Sequence, residues 1–190
     1  MRWSALKVDF EMYGKDLIPS AELSGKICKT LGTSPPNGFA YELFLDEKGE
    51  KISKSKGNGI TIEEWLKYAT QESLALYMYQ NPQRAKKIYP QVIPKAVDEY
   101  LTFLEKFEQQ EIKEQLGNPV WHVHNGSPPK EKNVITFGVL LNLVSASNAE
   151  SEDVVWKFIK NYNPKIIKEE HPILGKLIYY AIQYFNDIVK

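Results

Sequence analysis

Residues 50–58 read Glu-Lys-Ile-Ser-Lys-Ser-Lys-Gly-Asn, and this run decides how the rest of the chain is interpreted. Its three lysines and two serines make it too polar to pack, and the glycines at 49, 57 and 59 disfavour a stable helix. Ammonium groups on a hinged loop suit a dense negative charge that arrives and leaves, such as a triphosphate or a pyrophosphate. We call residues 50–58 the lysine loop and predict that it binds phosphate.

Four side chains of the lysine loop are the candidates for this contact. Lys54, at the centre of the run, is predicted to make the main phosphate contact, and Lys51 the second. Ser53 and Ser55 are predicted to shape the loop or to donate hydrogen bonds to phosphate. The loss of one donor from a site of developing charge typically costs on the order of a hundredfold in rate. The alternative interpretation is a solvated hairpin tip, since loops of lysine and serine are common.

The composition indicates a globular chain without a general affinity for nucleic acid. The 190 residues are 43% hydrophobic and 12% aromatic, and 24 basic residues balance 24 acidic ones. Any RNA contact would therefore use local patches. One cysteine, Cys28, excludes an internal disulfide and fits a reducing compartment. The longest apolar stretch, 135–144, is too short for a bilayer, and no apolar signal region is seen. We expect a cytoplasmic protein that does not enter a membrane.

The chain changes character near residue 70. Before it, glycine, proline and short alternating segments dominate. The alternation at 41–45 predicts a short strand, which the turn 46–49 connects to the lysine loop. Thr61-Ile-Glu-Glu64 is a capping box and predicts the start of a helix that contains Trp65.

Apolar residues follow helical spacing from Thr70 onward. The pattern Ile93, Val97, Tyr100, Leu101, Leu104, Phe107 is the clearest instance. Further helices are predicted before Asn81-Pro82, at 133–147, at 150–162, and at the end of the chain. The fold class is therefore predicted as mostly α, with an antiparallel helical bundle over 71–190.

The paired histidines His122 and His124 suggest a metal site, but no Cys, Asp or Glu lies close enough in sequence to complete one. We predict a solvated loop at this position and expect no structural metal in the chain.

The lysine loop resembles the Lys-Met-Ser-Lys-Ser signature loop of class I aminoacyl-tRNA synthetases, with Ile52 in the methionine place. Within that class, the start of the chain resembles the lysyl-tRNA synthetases. Arg2-Trp3, Val8-Asp-Phe-Glu11 and Gly14-Lys-Asp16 occur at the spacing of that family, and Gln71-Glu-Ser-Leu74 stands where the family has Pro-Glu-Ser-Leu. The strong resemblance covers residues 1 to about 82.

The resemblance implies a fold and an activity. Residues 1–70 would form the C-terminal end of a Rossmann-like catalytic domain with the signature loop, and 71–190 an anticodon-binding bundle. The enzyme would activate L-lysine with ATP and Mg²⁺ to lysyl-adenylate and transfer the lysine to tRNA(Lys).

The resemblance also assigns residues outside the loop. Gly14 and Asp16 would belong to the ATP site, where Asp16 accepts hydrogen bonds from a ribose hydroxyl or a substrate ammonium group. Tyr41 and Trp3 are weaker candidates for the lysine pocket, with core packing as the alternative. Some members have histidine where this chain has Leu17, so that role would be filled differently here.

Two sets of residues are candidates for tRNA contact. Arg84, Lys86 and Lys87 would meet phosphates, with a solvated face as the alternative. Aromatic side chains of the bundle would stack on unpaired anticodon bases, with core packing as the alternative, namely Trp121, Trp156 and Tyr162.

One expected element of the family is missing from the chain. A His-x-Gly-His element is absent, and about 70 residues are too few for a complete nucleotide-binding domain. We expect the chain to be the C-terminal part of a longer synthetase, inactive without an N-terminal half on the same or a separate chain. Two alternatives stay open: a stand-alone RNA-binding module without catalysis, and a nucleotidyltransferase that acts on another acceptor.

Overall fold

A computed structural model describes residues 2–53, 55–132 and 135–190. These residues form two compact units. The strand unit comprises the residues up to Gly59 together with Asn81–Ile88, and the helical unit comprises Ile60–Gln80 together with Tyr89–Lys190. The described residues are mostly helical and form two small parallel sheets, which confirms the predicted class in outline. The assignment of 1–70 and 71–190 to two functional domains stays a prediction.

The strand unit begins with a β-α-β arrangement that we did not predict. Its elements are α1 (Arg2–Leu6), β1 (Phe10–Gly14), α2 (Ile18–Thr30) and β2 (Asn37–Tyr41). β1 and β2 pair in parallel, in a register that joins Phe10 to Asn37 and Gly14 to Tyr41. Parallel neighbours need a crossover connection, which α2 supplies after a 3-10 turn at Lys15–Leu17.

The single strand predicted over 41–45 is wrong. β2 ends at Tyr41, and the next strand, β3 (Phe44–Leu45), pairs in parallel with β4 (Lys86–Lys87) in a second sheet. Between them, the backbone N–H of Glu42 donates to the carbonyl of Pro82 at 2.9 Å. The chain thus changes sheets within a segment whose alternation looks continuous.

The strand unit has almost no core of its own. Among its described residues, the buried apolar side chains are Cys28 and Ile88. Large apolar side chains of β1 stay accessible, with Phe10 54% and Met12 45% exposed.

The helical unit is built from α-helices. The helices are α3 (Ile62–Leu66), α4 (Gln71–Tyr79), α5 (Ile93–Gln109), α6 (Ile112–Gln115), α7 (Pro119–Val123), α8 (Phe137–Ser147), α9 (Glu152–Tyr162) and α10 (Pro172–Tyr184). A π-helical turn at Phe185–Val189 follows α10. The predicted capping box at Thr61 and Glu64 is confirmed, with both reciprocal hydrogen bonds present. Within the described ranges, no helix is long and apolar enough to cross a membrane.

The core of the helical unit forms around α5, as its spacing predicted. Ile93, Val97, Leu101 and Leu104 are buried on one face of this helix, which packs against α4, α7 and α8. Burial of each such side chain stabilises the fold by roughly 1.5–3 kcal/mol. The predicted helix over 133–147 begins later, at Phe137, since the Thr136 hydroxyl accepts from the N–H of Val139 and caps it. The predicted start at Asn133 lies outside the described residues.

Carboxylates far away in sequence hold the starts of two helices. Asp98 of α5 accepts from the backbone N–H groups of Phe137 and Gly138, at 2.6 and 3.2 Å. Glu131 accepts from Ile173 and Leu174 at the start of α10, at 2.6 and 3.0 Å. The first N–H groups of a helix have no partner within it, so these carboxylates satisfy donors that burial would otherwise leave unpaired.

His122 and His124 do not lie on the solvated loop that we predicted for them. His122 is in α7, and His124, directly after it, is half-buried and bonded to the Tyr100 hydroxyl at 2.9 Å. Burial lowers the pKa of His124 below its ordinary value, with the charge of Glu72 partly opposing that shift.

Replacing Asp98 by alanine should lower the free energy of unfolding by about 1–2 kcal/mol, because two N–H groups of α8 lose their acceptor. Urea unfolding of the wild type and the variant measures this. Glu105→Ala, at an exposed acidic position of the same helix, is the matched control and should unfold like the wild type. Equal losses in both variants would contradict the assigned role.

Acidification should weaken the fold through His124. Its folded pKa lies below the unfolded value of 6.5, so the unfolded chain takes up the proton first as the pH falls. Stability should therefore fall from about pH 7 downward until the folded pKa is passed. Urea unfolding between about pH 8 and about pH 5 should show a shallower dependence for His124→Gln than for the wild type. His122→Gln is the control, and a slope unchanged in His124→Gln would refute this coupling.

Candidate functional site

The first residues of the lysine loop pair with β3. Lys51 forms an antiparallel bridge with Leu45, and the N–H of Ile52 donates to the carbonyl of Phe44 at 3.0 Å. The chain then turns sharply, because the N–H groups of both Lys56 and Gly57 donate to the carbonyl of Ser53 at 3.1 Å. Lys54, the predicted main phosphate contact, lies outside the described residues.

Asn58 closes the base of the loop. Its side-chain oxygen accepts from the N–H of Ser53 at 3.1 Å, and its NH₂ group donates to the Asp46 carboxylate at 2.7 Å. Asp46 also accepts from the N–H of Glu50 at 2.8 Å. Donation from Asn58, and then from Glu50, lowers the pKa of Asp46, so this carboxylate stays ionised as the anchor of the loop.

Close packing at the end of the loop explains one of its glycines. A Cβ atom placed on Gly59 would lie 2.6 Å from Cγ2 of Ile52, nearer than real Cβ atoms approach. Ile52, in the methionine place of the signature, is half-buried against this glycine. Gly57 has a different reason, because its φ of +60° lies in the left-handed region.

The structure brings two predicted site residues together. Lys51 Nζ lies 2.5 Å from a carboxylate oxygen of Asp16, although 35 residues separate them. The hydrogen bond and the charge of Lys51 hold the pKa of Asp16 below its ordinary value. The side chains are 55% and 59% exposed, so the pair is open to solvent and contributes little to stability.

This pair lies just beyond the carboxyl end of β1. Gly14 is the last residue of β1, and Asp16 follows in the 3-10 turn. Open α/β sheets bind ligands outside the carboxyl ends of their strands. The loop thus presents an ammonium group at the edge where such ligands bind.

The two serines of the loop lie side by side. The hydroxyl oxygens of Ser53 and Ser55 are 3.3 Å apart, and the N–H of Lys56 points at the Ser53 hydroxyl at 3.4 Å. Lys56 Nζ pairs with Glu50 at 3.1 Å. The turn therefore places two hydroxyl groups next to each other, and Lys51 precedes it in the chain.

Gly14 adopts ordinary backbone angles, with φ of −64°. A Cβ there would meet the ring of Tyr41 at 3.6 Å, which is normal contact distance. Tyr41 also stacks on Phe44, with ring centres 6.5 Å apart. These contacts do not test the predicted role of Gly14 in the ATP site, which stays a prediction.

Trp3 lies in a cleft that the sequence did not predict. Its indole N–H donates to the Glu11 carboxylate, and both line an open cleft of about 280 Å³ with Tyr13 and Leu17. Tyr41 is not among the residues that line this cleft. Glu11 belongs to the motif Val8-Asp-Phe-Glu11, which the sequence shows. Its contact with Trp3 could not be predicted from the sequence.

The predicted basic cluster does not form one face. Arg84 is exposed beside Pro82, in a shallow cleft with Phe39. Lys86 and Lys87 are consecutive residues of β4, and consecutive strand residues point to opposite faces. Lys87 Nζ donates to the carbonyl of Glu47 at 2.9 Å.

The aromatic candidates of the helical unit also separate. Trp156 is buried in the core, whereas Tyr162 is 92% exposed and Trp121 is half-buried. Within the described ranges, no group of three or more His, Cys, Asp and Glu side chains is placed to hold a metal ion.

Replacing Asn58 by alanine should loosen the base of the lysine loop. The Ser53 N–H loses its acceptor, and its hydrogen exchange should become about fivefold faster, as expected for one net hydrogen bond of about 1 kcal/mol. The Glu50 N–H, held by Asp46 itself, should change less. Amide exchange by NMR measures both, with Glu47→Ala in the adjoining turn as the control. Unchanged protection of Ser53 in the Asn58 variant would contradict the role of Asn58.

Known proteins match the chain over its whole length. The family model for tRNA synthetases class I (K) matches residues 1–127. Lysine–tRNA ligase of Rickettsia africae (strain ESF-5) is 54% identical over 192 residues, covering 100% of this chain and 37% of that protein. The lysine–tRNA ligases of Rickettsia bellii (strain RML369-C) and Rickettsia felis (strain ATCC VR-1525 / URRWXCal2) are each 53% identical with the same coverage.

The chain thus spans 37% of the length of these curated relatives. The family model covers more than half of the chain, and the relatives cover all of it. The predicted family is therefore confirmed, and the chain belongs to the class I lysyl-tRNA synthetase family.

Proposed function

We propose that the chain is the part of a lysine–tRNA ligase that stabilises the phosphates of ATP and docks the tRNA. The observation that carries this proposal is the contact of Lys51 with Asp16, which holds the lysine loop at the carboxyl end of β1. The β1–α2–β2 arrangement would be the end of the Rossmann-like catalytic domain of such an enzyme.

The lysine loop acts on the leaving group in this proposal. Formation of lysyl-adenylate expels pyrophosphate, and negative charge builds on it as the bond to the α-phosphate breaks. Lys51 exchanges the Asp16 carboxylate for these phosphate oxygens, with Lys54 as the central contact. Ser53 and Ser55 would donate hydrogen bonds to the phosphates from the same turn. The Mg²⁺ ion would enter together with ATP.

Asp16 gains a second role when Lys51 leaves it. Its carboxylate is then free to accept hydrogen bonds from a ribose hydroxyl or from a substrate ammonium group. Gly14 lies beside it at the end of β1 and would border the same nucleotide.

The cleft around Trp3 is the better of the two proposed sites for L-lysine. It combines an aromatic ring with the Glu11 carboxylate, which suits a cationic side chain. Leu17, in the place of the histidine of some relatives, lines the same cleft, so Glu11 would supply the polar contact here. Tyr41 would then border the nucleotide edge next to Gly14.

The remaining part of the enzyme would cover the strand unit. Parallel sheets occur almost only with both faces covered, yet Phe10 and Met12 are about half exposed and the unit buries few apolar side chains. We propose that the N-terminal half of the catalytic domain, on the same or a separate chain, packs on this face. The enzyme would act in the cytoplasm, and without that half this chain would not form lysyl-adenylate.

The helical unit would dock the anticodon end of tRNA(Lys). In the strand unit, Arg84, Lys86 and Lys87 would contact phosphates of the same tRNA. The alternative is a stand-alone RNA-binding module without catalysis. It is favoured by the hydrophobic core, whose buried residues all belong to the helical unit.

A chimera tests the proposed catalytic role. This chain replaces the matching segment of the Rickettsia africae ligase, and the chimera should catalyse lysine-dependent exchange of pyrophosphate into ATP. Lys51→Ala and Lys54→Ala should each lower the exchange rate on the order of a hundredfold, because each removes a donor at the developing charge.

Lys48→Ala, an exposed lysine just before the loop, is the matched control and should leave the rate unchanged. Exchange by the 190-residue chain alone would refute the need for a further half. An active chimera that tolerates both loop variants would refute the phosphate role. An inactive chimera, with salt-sensitive RNA binding by the chain, would favour the alternative.

A further inference from the structure

A second ion pair lies beside the contact of Lys51 with Asp16. Lys15 Nζ is 2.8 Å from a carboxylate oxygen of Glu42. Lys15 follows the last residue of β1, and Glu42 follows the last residue of β2, so this pair joins the ends of two paired strands. Its side chains are 42% and 29% exposed, less than those of Lys51 and Asp16. These four residues place two ammonium groups and two carboxylates at the carboxyl edge of the first sheet.

The Glu42 carboxylate is held in place by its own part of the chain. The oxygen that contacts Lys15 also accepts from the N–H of Leu43 at 3.2 Å. The backbone at Glu42 is fixed as well, because its N–H donates to the carbonyl of Pro82 at 2.9 Å. The hydrogen bond from Lys15, and then that from Leu43, lowers the pKa of Glu42, so this carboxylate stays ionised. Glu42 is therefore a fixed anion that holds a lysine side chain.

Lys15 would compete for Asp16 if Glu42 did not hold it. The two residues are consecutive in the chain, and the charge of Lys15 adds to the larger effect of Lys51 in lowering the pKa of Asp16. The charge of Asp16 in turn opposes the lowering of the pKa of Glu42, so the two carboxylates are close enough to interact. The flexible four-carbon stem of a lysine lets its ammonium group move between two such neighbours.

We propose that Glu42 is a positioning residue, which keeps Lys15 away from Asp16 during the reaction. When Lys51 moves to the pyrophosphate, the Asp16 carboxylate then stays open for a hydrogen-bond donor of the substrate, a ribose hydroxyl or an ammonium group. Neither Glu42 nor Lys15 touches the substrate in this arrangement. The inference rests on the proposed function, in which Lys51 exchanges Asp16 for phosphate oxygens.

The alternative is that Lys15 itself moves to the phosphates. Lys51 can leave its partner at small cost, because both members of that pair are more than half exposed. The partner of Lys15 is less exposed and is fixed by two backbone contacts, so the release of Lys15 costs more. Removing Lys15 separates the two cases, because a phosphate contact would be lost and a restrained competitor would not be missed.

The first test measures the pKa of the Asp16 carboxyl by NMR titration of the 190-residue chain. In Lys51→Gln, which removes the exchangeable ammonium group, this pKa should rise toward its ordinary value. Adding Glu42→Gln should lower it again, because the released Lys15 pairs with Asp16. Glu47→Gln, at an exposed acidic position of the adjoining turn, is the matched control and should not lower it.

A double-mutant cycle excludes a simple loss of repulsion between the two carboxylates. In the Lys51→Gln background, Lys15→Gln should raise the pKa of Asp16 more when Glu42 is replaced by glutamine than when Glu42 is present. Equal effects of Lys15→Gln in both cases would overturn the inference, because the charge of Glu42 alone would then explain the result.

The second test measures pyrophosphate exchange by the chimera with the Rickettsia africae ligase. Glu42→Gln should raise a KM about fivefold and leave kcat unchanged, since Lys15 then competes for Asp16 as an exposed ion pair. A higher KM for ATP assigns Asp16 to the ribose hydroxyl, and a higher KM for L-lysine assigns it to the ammonium group. Lys15→Gln should behave like the wild type. Lys15→Gln combined with Glu42→Gln should restore the KM, which a merely structural role of Glu42 would not allow.

The outcomes separate this inference from the proposed function. If the chimera is active and Glu42→Gln changes neither KM, the inference fails and the proposed function stands. A loss from Lys15→Gln as large as that from Glu42→Gln would assign Lys15 to the substrate and overturn the inference. If the chimera is inactive, or tolerates Lys51→Ala, the proposed function fails, and the NMR cycle decides whether Glu42 restrains Lys15.

Discussion

The lysine loop depends on one carboxylate, that of Asp46, because polar contacts close the base of the loop. Its two oxygens accept from Glu50 and from the Asn58 side chain, and Asn58 in turn holds Ser53. These bonds join the turn before the lysine loop to the end of the loop. With the base closed, Lys51 extends to Asp16, and the loop meets the first sheet at the carboxyl end of β1.

This arrangement suits a loop that has to change partners. An exposed ion pair contributes little to stability, so Lys51 can exchange Asp16 for a stronger anion at small cost. The Asp46 anchor is nearly buried, and in the proposed function it would stay in place during such an exchange. A fixed base with an exchangeable tip is the property that a phosphate-binding loop needs if it is to close on a substrate and release a product.

The helical unit is stabilised mainly by apolar burial, and polar contacts satisfy the ends of its helices. Its core gathers around α5, while Asp98 and Glu131 satisfy the first N–H groups of α8 and α10. One face of α9 packs into the same core through Val155, Trp156 and Ile159.

The sequence by itself determined the family and most helices of the second part. It also predicts that the lysine loop binds phosphate. These features are local: a motif at fixed spacing, a capping box at Thr61, and the apolar periodicity of α5. The β1–α2–β2 arrangement was not predicted, although apolar and polar residues alternate from Val8 to Met12, because so short an alternation becomes a strand only through its pairing with β2. The strand over 41–45 was wrong because a hydrogen bond from Glu42 to Pro82 redirects the chain. Only the tertiary structure decided that Lys51 meets Asp16, that Asp46 and Asn58 close the loop, and that Lys86 and Lys87 belong to a strand. Each of these joins residues far apart in the chain, and local pattern carries no information about which distant groups the fold brings together.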